Sequence, residues 1–535
     1  MPSLVDYAKT LPYVVYAEEN LYTCSQDTQK KIVEVIKEHD LNRVIVSSCT
    51  PRTHEPLFQE TIREAGLNPH LFEMANIRDQ CSWVHMHNED VATSKAADLI
   101  RMAVAKARLR YPLPRQTVGI NQKALVIGGG LAGMISAIAV SEQGYPVHIV
   151  EKENEMGGNL RNLHYTIDGG DVREYMETII QEVENNPLIT VHKGAEIEEI
   201  KGFIGNFETT LAQEEVLTEI GHGAVIVATG ARESKPTEYM YGQDERVVTQ
   251  LEFEDKISQG ESFGGKTVVM IQCVGSREKG RPYCSRVCCT DAVKNSIKVK
   301  EKYPDAQVFI LYRDMRTYGF KESFYEEARE KGVIFIRYDT DQKPKVSKGE
   351  SGIEVMTKDH ILGEDFRIRA DHLVLSAAIV PGKDNEELAQ LLKVPINEDG
   401  FFLEAHVKLR PVDFAVEGVF LAGMAHSPKL ISETISQAYA AASRAVSVIS
   451  QEEYVTEATT ALVTDNLCSG CGLCVEACPY SAIELTEKGV AEVNSALCKG
   501  CGLCNATCRS GAIQQRGFDD HQLLQMISAS LNEMF

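Results

Sequence analysis

Eight cysteines near the C-terminus follow two copies of one spacing. The first copy reads C-x2-C-x2-C-x3-C-P, and the second repeats the spacing; the cysteines are Cys468, Cys471, Cys474 and Cys478, then Cys498, Cys501, Cys504 and Cys508. Two-residue gaps let one loop place three thiolates around a [4Fe–4S] cube, and the fourth cysteine reaches the cube of the other copy. A structural zinc site is the alternative, but zinc needs only four ligands in two pairs. The repeat therefore predicts two clusters, with Cys508 and Cys478 as the crossing ligands.

A second group of cysteines follows the apolar segment 267–271, which we predict to be a strand. Its members are Cys273, Cys284, Cys288 and Cys289. In a nucleotide-binding domain a glycine-rich turn follows such a strand, but here Cys273 stands where the backbone would approach a pyrophosphate. Cys284 and Cys288 are one helical turn apart, which predicts a shared helix face, and a helix N-terminus suits an anionic cluster. We favour a third [4Fe–4S] cluster; a redox disulfide and ordinary buried thiols are the alternatives.

A glycine-rich turn, Gly128 to Gly133, joins an apolar segment to a helical pattern. Its G-x-G-x-x-G spacing lets the chain turn, admits a pyrophosphate and packs the helix on the strand. The helix N-terminus attracts phosphate, and Glu151 ends the next predicted strand, where it would accept ribose hydroxyls. The motif predicts an FAD site, with NAD as the alternative. Three later segments favour FAD, namely GGN at 157–159, VIVATG at 225–230 and GVFLAG at 418–423.

The residues that we expect to contact the flavin come from these segments. They are Gly128, Gly130, Leu131, Ala132, Gly133, Glu151, Lys152, Gly158, Asn159, Ala228, Thr229, Gly230, Gly423 and Met424. Lys294 follows Cys289 by five residues on the predicted helix, where a cation would stabilise a reduced, anionic flavin. A solvated helix lysine is an equal alternative from spacing alone. Lys294 is our candidate catalytic residue.

The elements that must position these residues alternate between strands and helices, which predicts an α/β chain of several domains. We expect an α/β N-terminal domain (1–115), a doubly wound FAD-binding domain (121–240 and 381–455), an inserted second nucleotide-type domain (241–380) and an α+β two-cluster ferredoxin domain (456–535). A formal net charge of −22 disfavours nucleic acid and anionic membranes as partners. No apolar run is long enough to span a bilayer and the first residues lack a signal-peptide pattern, so we expect a cytoplasmic protein.

The three flavin motifs resemble the thioredoxin-reductase-like flavoproteins over residues 121–455, except that Met424 replaces an acidic residue of that family. The whole set of motifs resembles the A-subunit of heterodisulfide reductases. Three N-terminal segments agree with it, namely NLYTCSQD from Asn20, SSCTPRTHEPLF from Ser47 and EMANIRDQCSWVH from Glu73. Two features depart from that family. An initial C-x-C-G segment and an inserted ferredoxin segment are missing, so a cluster at Cys24, Cys49 and Cys81 is left undecided.

The resemblance implies a flavin subunit that performs electron bifurcation or confurcation. Electrons from a hydrogenase or formate dehydrogenase partner would reduce FAD, and then pass singly to ferredoxin and to a (hetero)disulfide on other subunits, in a dimer of complexes. It also implies a cluster at the second cysteine group and a flavin-side role for Lys294. Two alternatives remain, an NAD(P)H:ferredoxin oxidoreductase and a non-bifurcating electron-transfer subunit. The broken turn at Cys273 argues against the former.

Overall fold

The computed structural model describes residues 1–114, 117–214, 216–349, 352–456 and 458–531. Contacts group the chain into two compact units, one of residues 1–118 with 455–535 and the other of residues 119–454. The finer division into four domains stays a prediction. The sequence pattern predicts one helix from Asp519 to Phe535, and its residues 532–535 lie outside the described residues.

Helices and strands alternate through most of the described chain. The helices are α1 (Pro2–Thr10), α2 (Gln26–Glu38), α3 (Pro51–Glu64), α4 (Glu89–Ala107), α5 (Leu131–Glu142), α6 (Val172–Asn185), α7 (Gln250–Ser258), α8 (Cys288–Lys302), α9 (Glu322–Glu330), α10 (Asn385–Leu392), α11 (Ile431–Ile449), α12 (Leu473–Ala477), α13 (Leu503–Thr507) and α14 (Asp520–Leu531). The strands are β1 (Val44–Ser48), β2 (Phe72–Asn76), β3 (Thr117–Gly119), β4 (Ala124–Ile127), β5 (Val147–Glu151), β6 (Ile189–Lys193), β7 (Ala195–Phe203), β8 (Asn206–Gln213), β9 (Val216–His222), β10 (Ala224–Val227), β11 (Ala231–Glu233), β12 (Val247–Thr249), β13 (Thr267–Val274), β14 (Gln307–Tyr312), β15 (Ile334–Arg337), β16 (Lys345–Lys348), β17 (Ile353–Lys358), β18 (Asp365–Ala370), β19 (His372–Ala377), β20 (Ile379–Pro381), β21 (Val419–Leu421), β22 (Glu453–Val455), β23 (Ala461–Val463), β24 (Ile483–Leu485), β25 (Ala491–Val493) and β26 (Ile513–Gln515).

The first sheet of unit 119–454 is parallel and has the order β21-β10-β4-β5-β6. Its strands β4 and β10 are apolar and buried at every position, because both faces of the sheet are covered. Ala124 and Val126 pack with α5, α6 and α11. Leu125 and Ile127 pack on the other side with β7, β8, β9 and α10. This arrangement confirms the predicted doubly wound α/β fold.

A second parallel sheet has the order β12-β19-β13-β14-β15. Helices α7, α8 and α9 cover one face, and the antiparallel sheet β16-β17-β18 covers the other. The short antiparallel pair β11–β20 carries the chain into this part of the unit and back. The second sheet is thus formed by a segment inserted between two strands of the first sheet, β10 and β21.

The other unit combines both ends of the chain. Helices α2, α3 and α4 surround the parallel pair β1–β2, and the antiparallel pairs β23–β26 and β24–β25 carry α12 and α13. Helix α14 packs along α4, where the Arg101 Nε donates a 2.7 Å hydrogen bond to the carbonyl of Ala529. Within the described residues, no helix is long and apolar enough to cross a membrane.

Candidate functional site

The turn between β4 and α5 can be made only by small residues. A Cβ on Gly128 (φ +110°) would lie 2.4 Å from the carbonyl oxygen of Ala228. A Cβ on Gly133 would lie 1.8 Å from the carbonyl oxygen of Gly128. Gly130 is the N-cap of α5. The glycines therefore bring the start of α5 directly against the end of β4, with the helix N-terminus open to a phosphate group.

The carboxylate of Glu151 is held beside this turn by backbone amides. Its Oε2 accepts a 2.7 Å hydrogen bond from Gly129 N–H, and its Oε1 accepts a 2.9 Å bond from Glu153 N–H. Each carboxylate oxygen has a further lone pair, so the side chain retains acceptor capacity for a ribose hydroxyl. The neighbouring Lys152 pairs with Asp384 at 2.5 Å, and its contact with the flavin stays a prediction.

A second glycine segment lies against the first. Gly130 and Gly157 form a parallel bridge, and a Cβ on Gly158 (φ +51°) would lie 3.1 Å from the Cα of Gly130. The Nδ2 of Asn159 donates a 2.7 Å hydrogen bond to the carbonyl of Ala231, the first residue of β11 and the next residue after the VIVATG segment. The predicted segments around Gly128, Gly158 and Gly230 therefore converge.

The last predicted flavin motif also reaches the same place. A Cβ on Gly423 (φ +70°) would lie 2.7 Å from the Cβ of Ala132. Gly423 and Met424 open a 3-10 turn ahead of α11, and α11 packs on α5. The Oε1 of Gln437 accepts a 2.9 Å hydrogen bond from Gly423 N–H. Sequence reasoning missed Gln437 because no motif marks it, and only tertiary packing brings α11 to this turn.

This glycine-lined cradle fits a dinucleotide. The N–H groups of Gly128 and Gly157 are bonded to the carbonyls of Val150 and Gly129. The turn therefore offers a phosphate the first amides of α5, which begins at Leu131 without a side-chain cap. We expect the pyrophosphate of FAD to be held there, with Glu151 at the ribose. The individual contacts to the cofactor stay predictions.

The second cysteine group begins at a strained position of β13. Cys273 is buried and has φ +62°, and the register of β13 against β19 shifts between Ile271 and Val274. A non-glycine residue in the left-handed region is uncommon and marks a position held by its surroundings. The turn that in related folds would face a pyrophosphate therefore presents a thiol.

The predicted shared helix face of Cys284 and Cys288 is wrong. Helix α8 begins at Cys288, and Cys284 lies in the loop before it. Arg286, between them, has φ +59°, so the chain leaves helical geometry just ahead of α8. The backbone N–H of Arg286 donates to the Cys284 Sγ at 3.3 Å. The adjacent pair Cys288 and Cys289 sits at the start of α8.

The four thiols of this group lie close enough to affect one another. A hydrogen bond with Cys289, burial, and the charges of Cys289, Cys273 and Cys284 raise the pKa of Cys288. Burial and the charge of Cys289 raise the pKa of Cys273. Thiolates that repel in this way are stabilised by a positively charged iron centre, because metal ligation requires the deprotonated form. The group therefore fits a [4Fe–4S] cluster.

The ferredoxin-like segment contains a cavity with four cysteines in its wall. These are Cys478, Cys498, Cys501 and Cys504. Three belong to the second copy of the repeat and one to the first, which is the ligand set predicted from the spacing. Burial, with the charge of Cys498 next, raises the pKa of Cys504 to about 11, and the charge of Cys478 adds to the effect. Backbone N–H groups of Ala461 and Ala482 face the sulfurs of Cys498 and Cys478 at 3.4 and 3.3 Å.

The first copy of the repeat is arranged in the same way. Burial raises the pKa of Cys474, and the charges of Cys468 and Cys471 act in the same direction. The N–H of Ala491 faces the Cys468 Sγ at 3.5 Å. Cys508 packs in the same small core, and its assignment to this cluster stays a prediction.

Lys294 lies on α8, as predicted, but it is not a solvated lysine. Only 6% of the residue is exposed. Its Nζ lies 2.8 Å from Glu254 Oε2 and 3.6 Å from Asp291 Oδ1, and donates a 3.0 Å bond to the Tyr165 carbonyl. Sequence reasoning missed Glu254, because its burial on α7 and its pairing with α8 are seen only in the fold.

The three N-terminal cysteines have separate surroundings. Cys24 is exposed and Cys49 is half-buried. Cys81 is buried, its Sγ donates to the Ala92 carbonyl at 2.9 Å, and burial raises its pKa. Across the described ranges, no three His, Cys, Asp or Glu side chains converge tightly enough to hold a single metal ion.

Comparison with known proteins agrees with these sites. The family model described as pyridine nucleotide-disulphide oxidoreductase matches residues 122–275. The model described as a 4Fe-4S dicluster domain matches residues 467–512. The first match covers the glycine cradle and Cys273, and the second covers all eight cysteines of the repeat.

Similar proteins extend the match over nearly the whole chain. The iron-sulfur A-subunit of a CoB–CoM heterodisulfide reductase from Methanopyrus kandleri is 37% identical over 634 residues, covering 99% of this chain and 95% of that protein. The chain belongs to the A-subunit family of heterodisulfide reductases. The A-subunit of the H2:CoB–CoM heterodisulfide,ferredoxin reductase from Methanothermobacter marburgensis is also 37% identical, covering 99% of this chain and 94% of that one. The alignments are longer than this chain, so these relatives have segments without a counterpart here.

Membership of this heterodisulfide reductase family confirms three predictions. They are the family resemblance, the fold class and the class of enzyme, an FAD-dependent iron–sulfur oxidoreductase. The presence of FAD and of [4Fe–4S] clusters follows the same matches, whereas the number of clusters stays a prediction.

Proposed function

We propose that this chain is the flavin and iron–sulfur subunit of a heterodisulfide reductase-like complex that performs electron bifurcation or confurcation. Relatives are named for H2, formate, F420H2, ferredoxin and the CoB–CoM heterodisulfide. We infer that a hydrogenase or formate dehydrogenase delivers electrons to this chain, and that ferredoxin and a (hetero)disulfide accept them. Two copies per complex are part of the same proposal.

The observation that carries the proposal is the buried, left-handed Cys273 at the end of β13. At this position a pyridine nucleotide would need a bare backbone next to its pyrophosphate. The thiol and the three cysteines around it replace such a site with a candidate iron–sulfur site. This favours electron delivery through clusters over direct hydride transfer from NAD(P)H.

Separate groups of residues in unit 119–454 would bind the flavin, hold the cluster and place a positive charge beside the flavin. Bound FAD would supply the exchange between one two-electron transfer and two one-electron transfers. The glycine cradle holds the dinucleotide, and α8 carries Cys288, Cys289 and Lys294 in one continuous helix. We propose that Lys294 places its positive charge on the flavin side of this helix. Its buried partner Glu254 holds the ammonium in one position.

The decisive experiment uses the complex assembled with its partners and supplied with H2 or formate. Bifurcation predicts that ferredoxin is reduced only when the disulfide is present. For each electron that reaches the disulfide, one electron should reach ferredoxin. A non-bifurcating subunit would reduce either acceptor without the other. Addition of NADH or NADPH to the anaerobic protein provides the second comparison, and prompt flavin bleaching would favour the NAD(P)H:ferredoxin oxidoreductase instead.

A further inference from the structure

One carboxylate beside the second cysteine group is surrounded by three guanidinium groups. Asp314 lies 2.6 Å from Arg277, 3.6 Å from Arg316 and 3.8 Å from Arg337. A single negative charge cannot neutralise three positive ones, so this group carries a surplus of positive charge. Arg316 and Arg337 expose 45% and 51% of their side chains, and the surplus therefore faces solvent.

This arginine group contacts two of the four thiols directly. The Cys289 Sγ donates to the Asp314 carbonyl at 3.8 Å, and the Arg277 Nη1 donates to the Cys273 Sγ at 4.0 Å. A molecule that contacts Arg316 or Arg337 would therefore stand close to the site that we assign to the cluster. Short separation from the redox centre is what a docking site for an electron carrier requires.

The loop between β14 and α9, which carries Asp314 and Arg316, also carries a fully exposed aromatic side chain. Phe320 has a relative exposure of 101%, in a short 3-10 turn, Gly319–Lys321. Tyr318 fixes the base of this turn, since its hydroxyl donates to Glu433 at 2.9 Å and accepts from Arg286 at 3.1 Å. An aromatic ring held in water gains no burial in this chain, whereas aromatic and arginine side chains are enriched at protein interfaces.

The sign of the charge identifies the partner. The chain as a whole carries a formal net charge of −22, so it repels an acidic protein except where positive charge is concentrated. Such contrast steers an acidic partner to the basic region and orients it there. A small acidic iron–sulfur carrier matches both the charge and the neighbouring redox site.

We propose that Arg316, Arg337 and Phe320 form a docking surface for a small acidic iron–sulfur protein of the ferredoxin type. The docked carrier exchanges one electron with the cluster of the second cysteine group. The carrier's cluster loses one electron when the cluster of the second cysteine group gains one, or the reverse, and no atom is transferred. The inference rests on the proposed function, because it needs an iron–sulfur cluster at these cysteines.

The test compares three variants of the full chain loaded with FAD and clusters. Arg337→Glu and Phe320→Ala alter the docking surface. Arg367→Glu is the matched control, since Arg367 is also an exposed arginine, lies on β18 of the same unit and pairs with one carboxylate, Glu354. The measured quantities are KM and kcat for a two-cluster acidic ferredoxin over a series of salt concentrations, with methyl viologen as a small reference acceptor.

Arg337→Glu should raise KM for ferredoxin by about tenfold at low salt, and the difference should shrink as salt increases. Phe320→Ala should raise KM by a similar factor without changing its salt dependence. Arg367→Glu should change KM by less than about twofold. Equal KM values in all variants would overturn the docking surface. Altered oligomeric state without altered KM would overturn it in favour of a second copy of this chain as the occupant. Failure of the proposed function would show already in the unaltered protein, as absence of a third cluster or of turnover with ferredoxin.

Discussion

The ammonium of Lys294 lies 2.8 Å from the carboxylate of Glu254, and both side chains are almost completely buried. The other oxygen of Glu254 accepts the backbone N–H of His164 at 2.6 Å. This ion pair therefore connects three segments: α8, which begins at the cysteine site, α7, and the loop that follows the second glycine segment of the cradle. A proposed flavin-side lysine is thus also a structural lysine, and experiments must separate the two roles.

Lys294→Ala should destabilise the protein by about 3–5 kcal/mol, because it leaves the Glu254 carboxylate buried without a counter-charge. The melting temperature of the protein loaded with FAD and clusters provides the measurement. Lys298→Ala, one turn further along α8 and also near the ring of Tyr165, is the control and should have little effect. In the double variant Lys294→Met with Glu254→Gln, most of the stability should return. If flavin reduction returns with it, Lys294 has no separate role at the flavin.

Double substitution in the ferredoxin-like segment tests which cysteines share a cluster. Cys478→Ser should remove about four irons per chain. Adding Cys501→Ser should remove no more, because both cysteines line one cavity. Combining Cys478→Ser with Cys471→Ser should remove about eight irons, since two clusters are then damaged. The reverse result, with additivity for the first pair, would show that each copy of the repeat holds its own cluster.

The glycine cradle predicts that crowding, rather than backbone strain, controls flavin binding. Gly158→Ala would place a Cβ 3.1 Å from the Cα of Gly130, whereas Gly144, also in the left-handed region at φ +89°, has nothing within 4 Å. Both substitutions should cost about 1 kcal/mol of stability from the backbone conformation. Only Gly158→Ala should lower the ratio of bound FAD to protein after gel filtration. Equal loss in both variants would contradict the cradle.

Glu233 should make the stability of unit 119–454 depend on pH. Burial raises its pKa to about 7; the charges of Glu252 and Asp291 add to this, while a hydrogen bond with Thr249 and the charge of Lys235 oppose it. A carboxyl whose pKa is higher in the folded state stabilises the fold at low pH, and that stability is lost as pH rises from about 4.5 to about 7.

Glu233→Gln should therefore raise the melting temperature at pH 8 while leaving it nearly unchanged at pH 5. The free energy of unfolding at pH 8 should rise by about 1–3 kcal/mol. A melting-temperature difference between variant and unaltered protein that is constant from pH 5 to pH 8 would show that Glu233 titrates normally in the fold.

Local patterns predicted the parts of the site that are local in the chain. The strand, glycine turn and helix around Gly128 follow from chain geometry. The four-residue interval between Cys284 and Cys288 fits a helix, but it does not say where the helix begins. Arg286, in the left-handed region, lies between the two cysteines, so Cys284 stays outside α8. Glu254 and Gln437 escaped prediction because their roles depend on partners far away in sequence.

Unit 1–118 with 455–535 has a consequence for biosynthesis. Helix α14 and the cysteine repeat leave the ribosome after the whole flavoprotein unit, yet the Nε of Arg101 on α4 finds its acceptor, the Ala529 carbonyl, only in that later segment. Domains fold as they are made, from the N-terminus onward. The N-terminal segment must therefore wait, with the face of α4 uncovered, until α14 has been synthesised, and iron–sulfur assembly at the repeat can begin only once those late cysteines have emerged.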